Sequence, residues 1–460
     1  MKKKLTFQET VLISLMLFGM FFGAGNLIFP AKLGSIAGSN LVYANIGLFI
    51  TAVGLPLLAV AALGVTHSEG VLELSSKVSR PYGMFFSTLL YLTIGPLFAI
   101  PRCASTSFSV GAVSLIGHLD EGLALAVFSF VFFAVALAFS LKPSKIMTWI
   151  GKILTPVFLV FLGILIIAVF LNPILPISSI VPTSSYLKPS GAFFNGFLEG
   201  YNTLDALAGL AFGIVVVNVV KKQGIEEPSA IAVSTAKAGI FSCLFMGLIY
   251  LAITAVATMS TTICVNCADG GEVLGTIAEH YFGTAGGVLL FAIVTFACLK
   301  TAIGLITSCS EAFAAMFPKG PSYRVWAIVF SVVSFGIANF GLSSIVAYCV
   351  PVLMFIYPLA MTLILLALIG RRFHHSRTVY VWTTVFTLVA ALFDFTGTLA
   401  GTLRDSGIAA TPVLDAFTAF GQKLLPFSSI GLGWVCPALV GFALGLVLYL
   451  TGKKKEEQAA

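Results

Sequence analysis

The stretch "MFFGAGNLIFP", residues 20–30, lies inside an apolar run that begins near Val11. Gly23, Gly25, Asn26 and Pro30 are poor material for a helix that must cross a bilayer. Unwound backbone is costly in hydrocarbon unless it lines a cavity or meets a partner. A break at this point of a spanning segment therefore calls for a reason.

The rest of the chain makes the spanning segment certain. Of 460 residues, 58% are hydrophobic and only 9% are charged, with a mean hydropathy of +1.05. A soluble domain carries about 25% charged residues, so this chain cannot cover a water-facing surface. Long apolar runs recur along its whole length, which reads as an all-α polytopic membrane protein. The runs lack the two-residue alternation of a β-barrel. No cleavable signal peptide is evident after Lys2, Lys3 and Lys4.

About twelve spans are expected, at 9–30, 41–65, 82–115, 123–141, 146–171, 191–220, 229–260, 286–317, 323–340, 345–369, 378–402 and 429–451. The third, sixth, seventh and eighth are long enough to imply tilt, breaks or extension beyond the bilayer. With the N-terminus in the cytoplasm, nineteen of the 25 Lys and Arg residues fall on the cytoplasmic side, four outside, and Arg102 and Lys300 within spans. That asymmetry supports the orientation, with both termini cytoplasmic. It also accounts for the net charge of +7 without a nucleic-acid partner, helped by anionic membrane lipid.

Most cysteines fall within spans, where Cys acts as a small apolar residue. Cys264 and Cys267, in "CVNC" of an outer loop, stand as either a disulfide or two unpaired thiols. No further Cys or His pair follows at metal-site spacing. The loop over 261–285, with Asp269, Glu272 and Glu279, reads as an outer cap.

The sixth span carries a second interruption, "GYNTLDALAGLAFG" at 200–213. If spans one to five and six to ten are matching halves, the two breaks sit at corresponding places. Matched interruptions point to a transporter's midplane binding site. A half-helix N-terminus there offers partial positive charge to a carboxylate. The alternative is that the glycines only let helices pack closely.

"FFGAGNLIFP" followed by "LGSIAG", "GPLFAIPRCASTSF" at 95–108, the span-six stretch, and "CLKTAIGLITSCSEAF" at 298–313 together resemble the bacterial branched-chain amino acid:cation symporter family. The likeness covers nearly the whole chain in the same order. It implies one transporter domain over 1–460 with a leucine-transporter-type inverted repeat of five plus five spans, the halves at 8–171 and 191–370. Two further spans lie within 371–460. The implied function is import of Leu, Ile or Val across the cytoplasmic (inner) membrane by cation-coupled alternating access. Spans 1, 2, 6 and 7 would rock against spans 3, 4, 8 and 9. No cofactor is implied beyond a coupling ion, Na+ or H+.

By that resemblance, the N–H groups of Ala24 and Gly25 take the substrate carboxylate and Asn26 steadies the unwound turn. Carbonyls near Tyr201, Asn202 and Thr203 take the ammonium, and Asp205 either adds a charge or pairs with Arg102 or Lys300. Phe98 and Ile303 are candidate lining residues for an apolar side-chain pocket, each also readable as ordinary packing. One methylene discriminates by only about 1–3 kcal/mol, so the three substrates would separate poorly. Arg102, after Pro101, is either a gate and carboxylate contact or half of a buried ion pair. Asp394, in span eleven, is expected to play a structural or interfacial role.

The family's sodium position maps onto the carbonyls of Gly19 and Phe22 on one side and Ala297, Lys300 and Thr301 on the other. Thr301 suits a hard cation. Lys300 does not, because an ammonium offers donors only. Ser109 stands where the family pattern has an acid. Lys300 could therefore fill the sodium position and carry a proton, since burial disfavours a lysine's charged form. It could instead turn aside as the partner of an acid, leaving sodium symport intact, or extend into an aqueous vestibule.

An enzyme is not expected: the histidines at 67, 118, 280, 374 and 375 give no H-E-x-x-H motif, and no G-x-S-x-G elbow is present. Neither a selectivity-filter loop nor rings of like charge argue for a channel. A binding receptor of the same fold would differ from a carrier only in a flux assay.

Overall fold

Thr6 opens the first helix with a reciprocal cap: its hydroxyl accepts from the Glu9 amide at 3.2 Å, and the Glu9 carboxylate accepts from the Thr6 amide at 2.8 Å. From there the computed structural model describes residues 5–66, 68, 70–112, 120–142, 152–153, 155–225, 227–264, 267, 269–407 and 411–459. The expected spans three and five run partly outside the described residues, as do Lys2–Lys4, Lys145, His67 and His118.

The described chain is helical, with no strand. Span one is split into α1 (Phe7–Phe21) and α2 (Ala24–Ala37). Next come α3 (Leu41–Phe49), α4 (Leu55–Val65), the short α5 (Val71–Ser75), α6 (Arg80–Leu92), α7 (Ala99–Ser107), α8 (Glu121–Ser140) and α9 (Thr155–Leu171). Span six is split into α10 (Pro189–Asn202) and α11 (Asp205–Lys222), bent by 41°. They are followed by α12 (Pro228–Met259), α13 (Gly270–Phe282), α14 (Thr284–Met316), α15 (Tyr323–Ala338), α16 (Leu342–Ile369), α17 (Arg377–Asp405), α18 (Pro412–Leu424) and α19 (Val435–Ala459).

Among the described residues, eight helical stretches are long and apolar enough to cross a membrane, and the bent α10–α11 pair makes a ninth. The shorter apolar helices α1, α9 and α15 stand where spans one, five and nine were expected. The last helix starts at Val435 rather than near 429, because Phe427 and Gly431 take left-handed backbone in the turn before it. The amphipathic α18 lies between the last two spans.

Helix α14 stands at the centre, packed against α1, α7, α8, α9, α11 and α15. Helix α12 packs along both α1 and α2, bridging the first break. Helices α3 and α10 press together so closely that a Cβ at Gly47 would lie 2.0 Å from the Phe193 carbonyl oxygen. That backbone-to-backbone seam fits the small-residue packing of membrane helices. Span three is kinked: Gly95 leaves helical geometry at φ −92°, ψ −126°, beside Pro96. The kink supplies the break that its length suggested. Helix α13 caps one end, packed on α2 and α14, with Lys32 Nζ donating to the Cys267 carbonyl at 2.8 Å. Cys264 and Cys267 form a disulfide in this cap, with Cα atoms 5.5 Å apart.

Candidate functional site

The first break is built by backbone and one side chain. Phe22 ends α1 in extended geometry at ψ 93°, and Gly23 follows at φ −120°, ψ −155°. The Gly23 amide donates to Asn26 Oδ1 at 2.8 Å, so Asn26 caps α2 from within its own first turn. The opening amides of α2, from Ala24 onward, have no partner within the helix. Pro30 has no N–H, so the Asn26 carbonyl also lacks its i+4 donor. The break thus presents donors and one freed acceptor.

The second break turns on Leu204, held in left-handed backbone at φ 67°. Such backbone costs an ordinary side chain about 1–2 kcal/mol. The Thr203 hydroxyl donates to the Gly200 carbonyl at 2.8 Å, and the Asp205 amide points back to Thr203 Oγ1 at 3.5 Å. Asp205 is then the first residue of α11, where the helix dipole favours its negative charge.

A buried hydrogen-bond cluster joins the breaks. Asn26 Nδ2 donates to Asp205 Oδ1 and Oδ2 at 2.8 and 2.7 Å. The Tyr250 hydroxyl of α12 donates to Asp205 Oδ2 at 2.7 Å and also meets Asn26 Nδ2. Three spans converge on one carboxylate. Asp205 therefore makes neither of the pairs considered from the sequence, with Arg102 or with Lys300: Asn26 and Tyr250 take three of its about four acceptor sites.

Arg102 crosses from α7 instead. Its Nη1 donates to the Asn202 carbonyl at 2.8 Å, and its guanidinium lies 5.3 Å from the Phe29 ring centroid. A Cβ at Gly25 would stand 2.8 Å from Arg102 Nη2, so a side chain there would displace the end of the guanidinium. Arg102 is buried without an acid in contact; its Nε has no partner among the described residues. Asn202 also donates to Glu199 Oε2 at 3.2 Å.

Between the breaks lies a cavity of ≈ 20 Å³, room for about one water. Gly23, Gly25 and Asn26 border it from the first break, Thr203, Leu204 and Asp205 from the second, and Arg102 and Thr301 from α7 and α14. The apolar part of the wall comes from Met20, Phe21, Ile94, Ala208, Phe212 and Leu305. Phe98 and Ile303 do not border it. The kink at Gly95 turns Ile94 and Ala99 inward in place of Phe98, and the Ile303 backbone faces Ser140 of α8, whose hydroxyl donates to it at 3.4 Å. The Tyr201 carbonyl accepts from the Leu204 amide at 3.1 Å, while its ring stacks on Tyr357 with centroids 4.3 Å apart and its hydroxyl reaches Met361 Sδ at 3.8 Å. The Asn202 carbonyl is taken by Arg102.

The residues of the mapped cation position cluster beside the first break. Gly19 and Phe22 are buried at the end of α1, and Ala297, Lys300 and Thr301 are buried on α14. Lys300 is fully buried, its ammonium 3.8 Å from the centroid of the Phe158 ring of α9 and 5.6 Å from that of Phe18. Neither an acid nor any other hydrogen-bond partner reaches Nζ among the described residues. Thr301 Oγ1 is likewise unpartnered and lies against Gly23. Tyr250 and Phe158 went unnoticed in the sequence: both are aromatic residues in apolar spans, where nothing local separates them from packing.

The comparisons with known proteins agree with this architecture. A family model described as "Branched-chain amino acid transport protein" matches residues 6–451. The chain is 47% identical to the branched-chain amino acid permease BrnQ of Lactobacillus delbrueckii subsp. lactis, covering 99% of this chain and all of that one. It is 40% identical to BrnQ of Bacillus subtilis, over 97% of this chain and 98% of the relative. To the branched-chain amino acid transport system 2 carrier protein of Pseudomonas aeruginosa it is 35% identical, over 98% of each. Among solved structures it resembles Mhp1, a nucleobase-cation-symport-1 family transporter in a closed conformation with bromovinylhydantoin bound. The TM-score is 0.60 at 13% identity, over 97% of this chain and 93% of that one, which is a likeness of fold. The chain is therefore a multi-pass membrane protein that belongs to the branched-chain amino acid transport protein family.

Proposed function

We propose that this protein imports Leu, Ile and Val across the cytoplasmic membrane, coupled to a cation, by alternating access at the two broken spans. The observation that carries the reading is the Asn26–Asp205–Tyr250 cluster, which holds the donor end of α2 opposite the carboxylate that opens α11. In this reading the amides of Ala24 and Gly25, with Arg102, take the substrate carboxylate. Asp205 and the Thr203 region take the ammonium, and Ile94, Phe212 and Leu305 read the aliphatic side chain. Small-molecule pockets usually enclose about 300–1,000 Å³, so the ≈ 20 Å³ centre must open to admit substrate. Twelve spans, the five-plus-five repeat and cytoplasmic termini complete the proposal. Leucine uptake into proteoliposomes tests it: Asp205→Asn is expected to lower uptake at least tenfold, and unchanged uptake overturns the assignment.

A second reading, a proton-coupled or uncoupled exchanger, is favoured by Lys300 alone. In that reading Lys300, buried among aromatic rings with no acid beside it among the described residues, carries a proton in place of the sodium ion. The two readings part under imposed gradients. Uptake driven by sodium alone, and unaltered in Lys300→Thr, rules out the lysine; uptake driven by protons and lost in Lys300→Thr selects it.

A further inference from the structure

Asp394 lies about 25 Å along α17 from its start, by helix rise, in a stretch otherwise apolar enough to span a membrane. An ionisable group at such depth ordinarily has a named partner. Among the described residues its buried Oδ2 has none. The carboxylate instead borders a cavity of ≈ 190 Å³ walled by α16, α17, α18 and the turn before α19. No described lining residue is shared with the cavity between the breaks.

The lining chemistry is one-sided. Asp394 is the single charged residue among the described residues that line it. Three hydroxyls and the Gln422 amide accompany it, and each hydroxyl has its proton committed to a backbone carbonyl. Thr398 donates to Asp394 at 2.8 Å, Thr418 to Leu414 at 2.8 Å, and Ser428 to Gln422 at 3.4 Å. A hydroxyl carries one proton, so these hydroxyls have only lone pairs left to offer. An anion would face the carboxylate with one neutral amide, Gln422, as the side-chain donor among the described lining residues, whereas a cation meets the carboxylate, the hydroxyl lone pairs and the Gln422 side-chain carbonyl oxygen. Oxygen donors suit a hard cation, and the one carboxylate among the described lining residues balances a single positive charge. The volume corresponds to about six waters at about 30 Å³ each, so an ion there keeps part of its hydration shell.

We propose that this cavity is a binding site for a small monovalent cation, an alkali ion or an ammonium, with Asp394 as its charge partner and the Thr398, Thr418 and Ser428 oxygens completing the shell with water. The site stands apart from the broken spans and does not depend on the function proposed for them. The test is equilibrium binding of radiolabelled sodium to the full chain in lipid nanodiscs, with leucine binding measured alongside. Asp394→Asn is expected to lose one saturable sodium equivalent while leucine binding persists. The double variant Thr418→Val/Ser428→Ala, which keeps the charge, is expected to weaken sodium binding several-fold if Asp394→Asn fails to fold. Competition by potassium and by methylammonium distinguishes an alkali site from an ammonium site; displacement by methylammonium alone assigns the latter. Unchanged sodium stoichiometry and affinity in these variants, with no methylammonium effect, overturns the proposal. Failure of the wild-type chain to bind leucine overturns only the reading of the central site.

Discussion

At the scale of single residues, the site rests on a few atoms with no slack. A methyl at Gly25 would sit 2.8 Å from Arg102 Nη2 and 3.3 Å from the Phe29 ring. Gly25→Ala requires the guanidinium end to shift, at the expense of the charge-assisted bond from Nη1 to the Asn202 carbonyl, worth about 1.5–3 kcal/mol. The expected outcome is a drop of roughly tenfold or more in kcat/KM for leucine uptake, by the usual conversion of 1.36 kcal/mol per tenfold. Tyr250→Phe removes one donor from Asp205 Oδ2 and leaves Asn26 in place. A loss of about 1.5–3 kcal/mol is expected from a bond to a charged group, read as a lower thermal midpoint in detergent; an unchanged midpoint would mean that Asn26 alone satisfies the carboxylate. Asn26 and Asp205 were legible in the sequence because polar groups in apolar spans stand out. Tyr250 was not, since what marks it is a partner 45 residues away in the chain.

At the scale of elements, both breaks were visible as Gly, Asn and Pro inside apolar runs, but their internal geometry was not. Leu204 is an unlikely residue for φ 67°. Only its burial, 3% exposed, explains why the position is not glycine. Two terms compete in Leu204→Gly. Relief of left-handed strain returns about 1–2 kcal/mol, while truncating a buried leucine removes about 2–5 kcal/mol. Burial wins, so this variant should unfold at lower temperature; a rise would show that strain dominates. The kink at Gly95 brings Ile94 and Ala99, and not Phe98, to the wall of the cavity between the breaks, which leaves Phe98 to its alternative reading as packing. In the turn joining α16 to α17, burial first, then Lys77 and Arg371, hold the His375 imidazole below its usual pKa. Folding therefore disfavours its protonation: the stabilisation is present above about pH 6.5 and fades as pH falls through the lowered value. His375→Gln should flatten that acid-side decline, measured as thermal midpoint from pH 7 down to pH 5.

At the scale of the whole molecule, membrane class and the order of spans followed from composition and apolar runs alone. Those depend on bilayer thickness rather than on any contact. What the sequence left open was which polar groups within the bilayer meet. Lys300 shows the limit: its distance from any acid depends on how α1, α9 and α14 pack, and no local pattern encodes that. Asp394 is the parallel case, in which a carboxylate expected to play a structural or interfacial role borders a cavity of mixed lining.

The Arg102–Asn202 contact has a consequence for the proposed motion. It ties α7 of span three to α10 of span six, which lie on opposite sides of the proposed rocking seam. The acceptor is a neutral carbonyl. Taken alone, a bond of about 1.5–3 kcal/mol holds the joined arrangement over the parted one by about 10- to 150-fold. Thermal agitation then parts it in roughly one molecule in ten to one in 150 at any instant. A buried carboxylate at the same point, with about 3–5 kcal/mol needed to break the pair, would make parted molecules rarer by a further order of magnitude. By meeting Arg102 with a peptide oxygen, the chain keeps the parted arrangement within thermal reach where an ion pair would have held the two elements together.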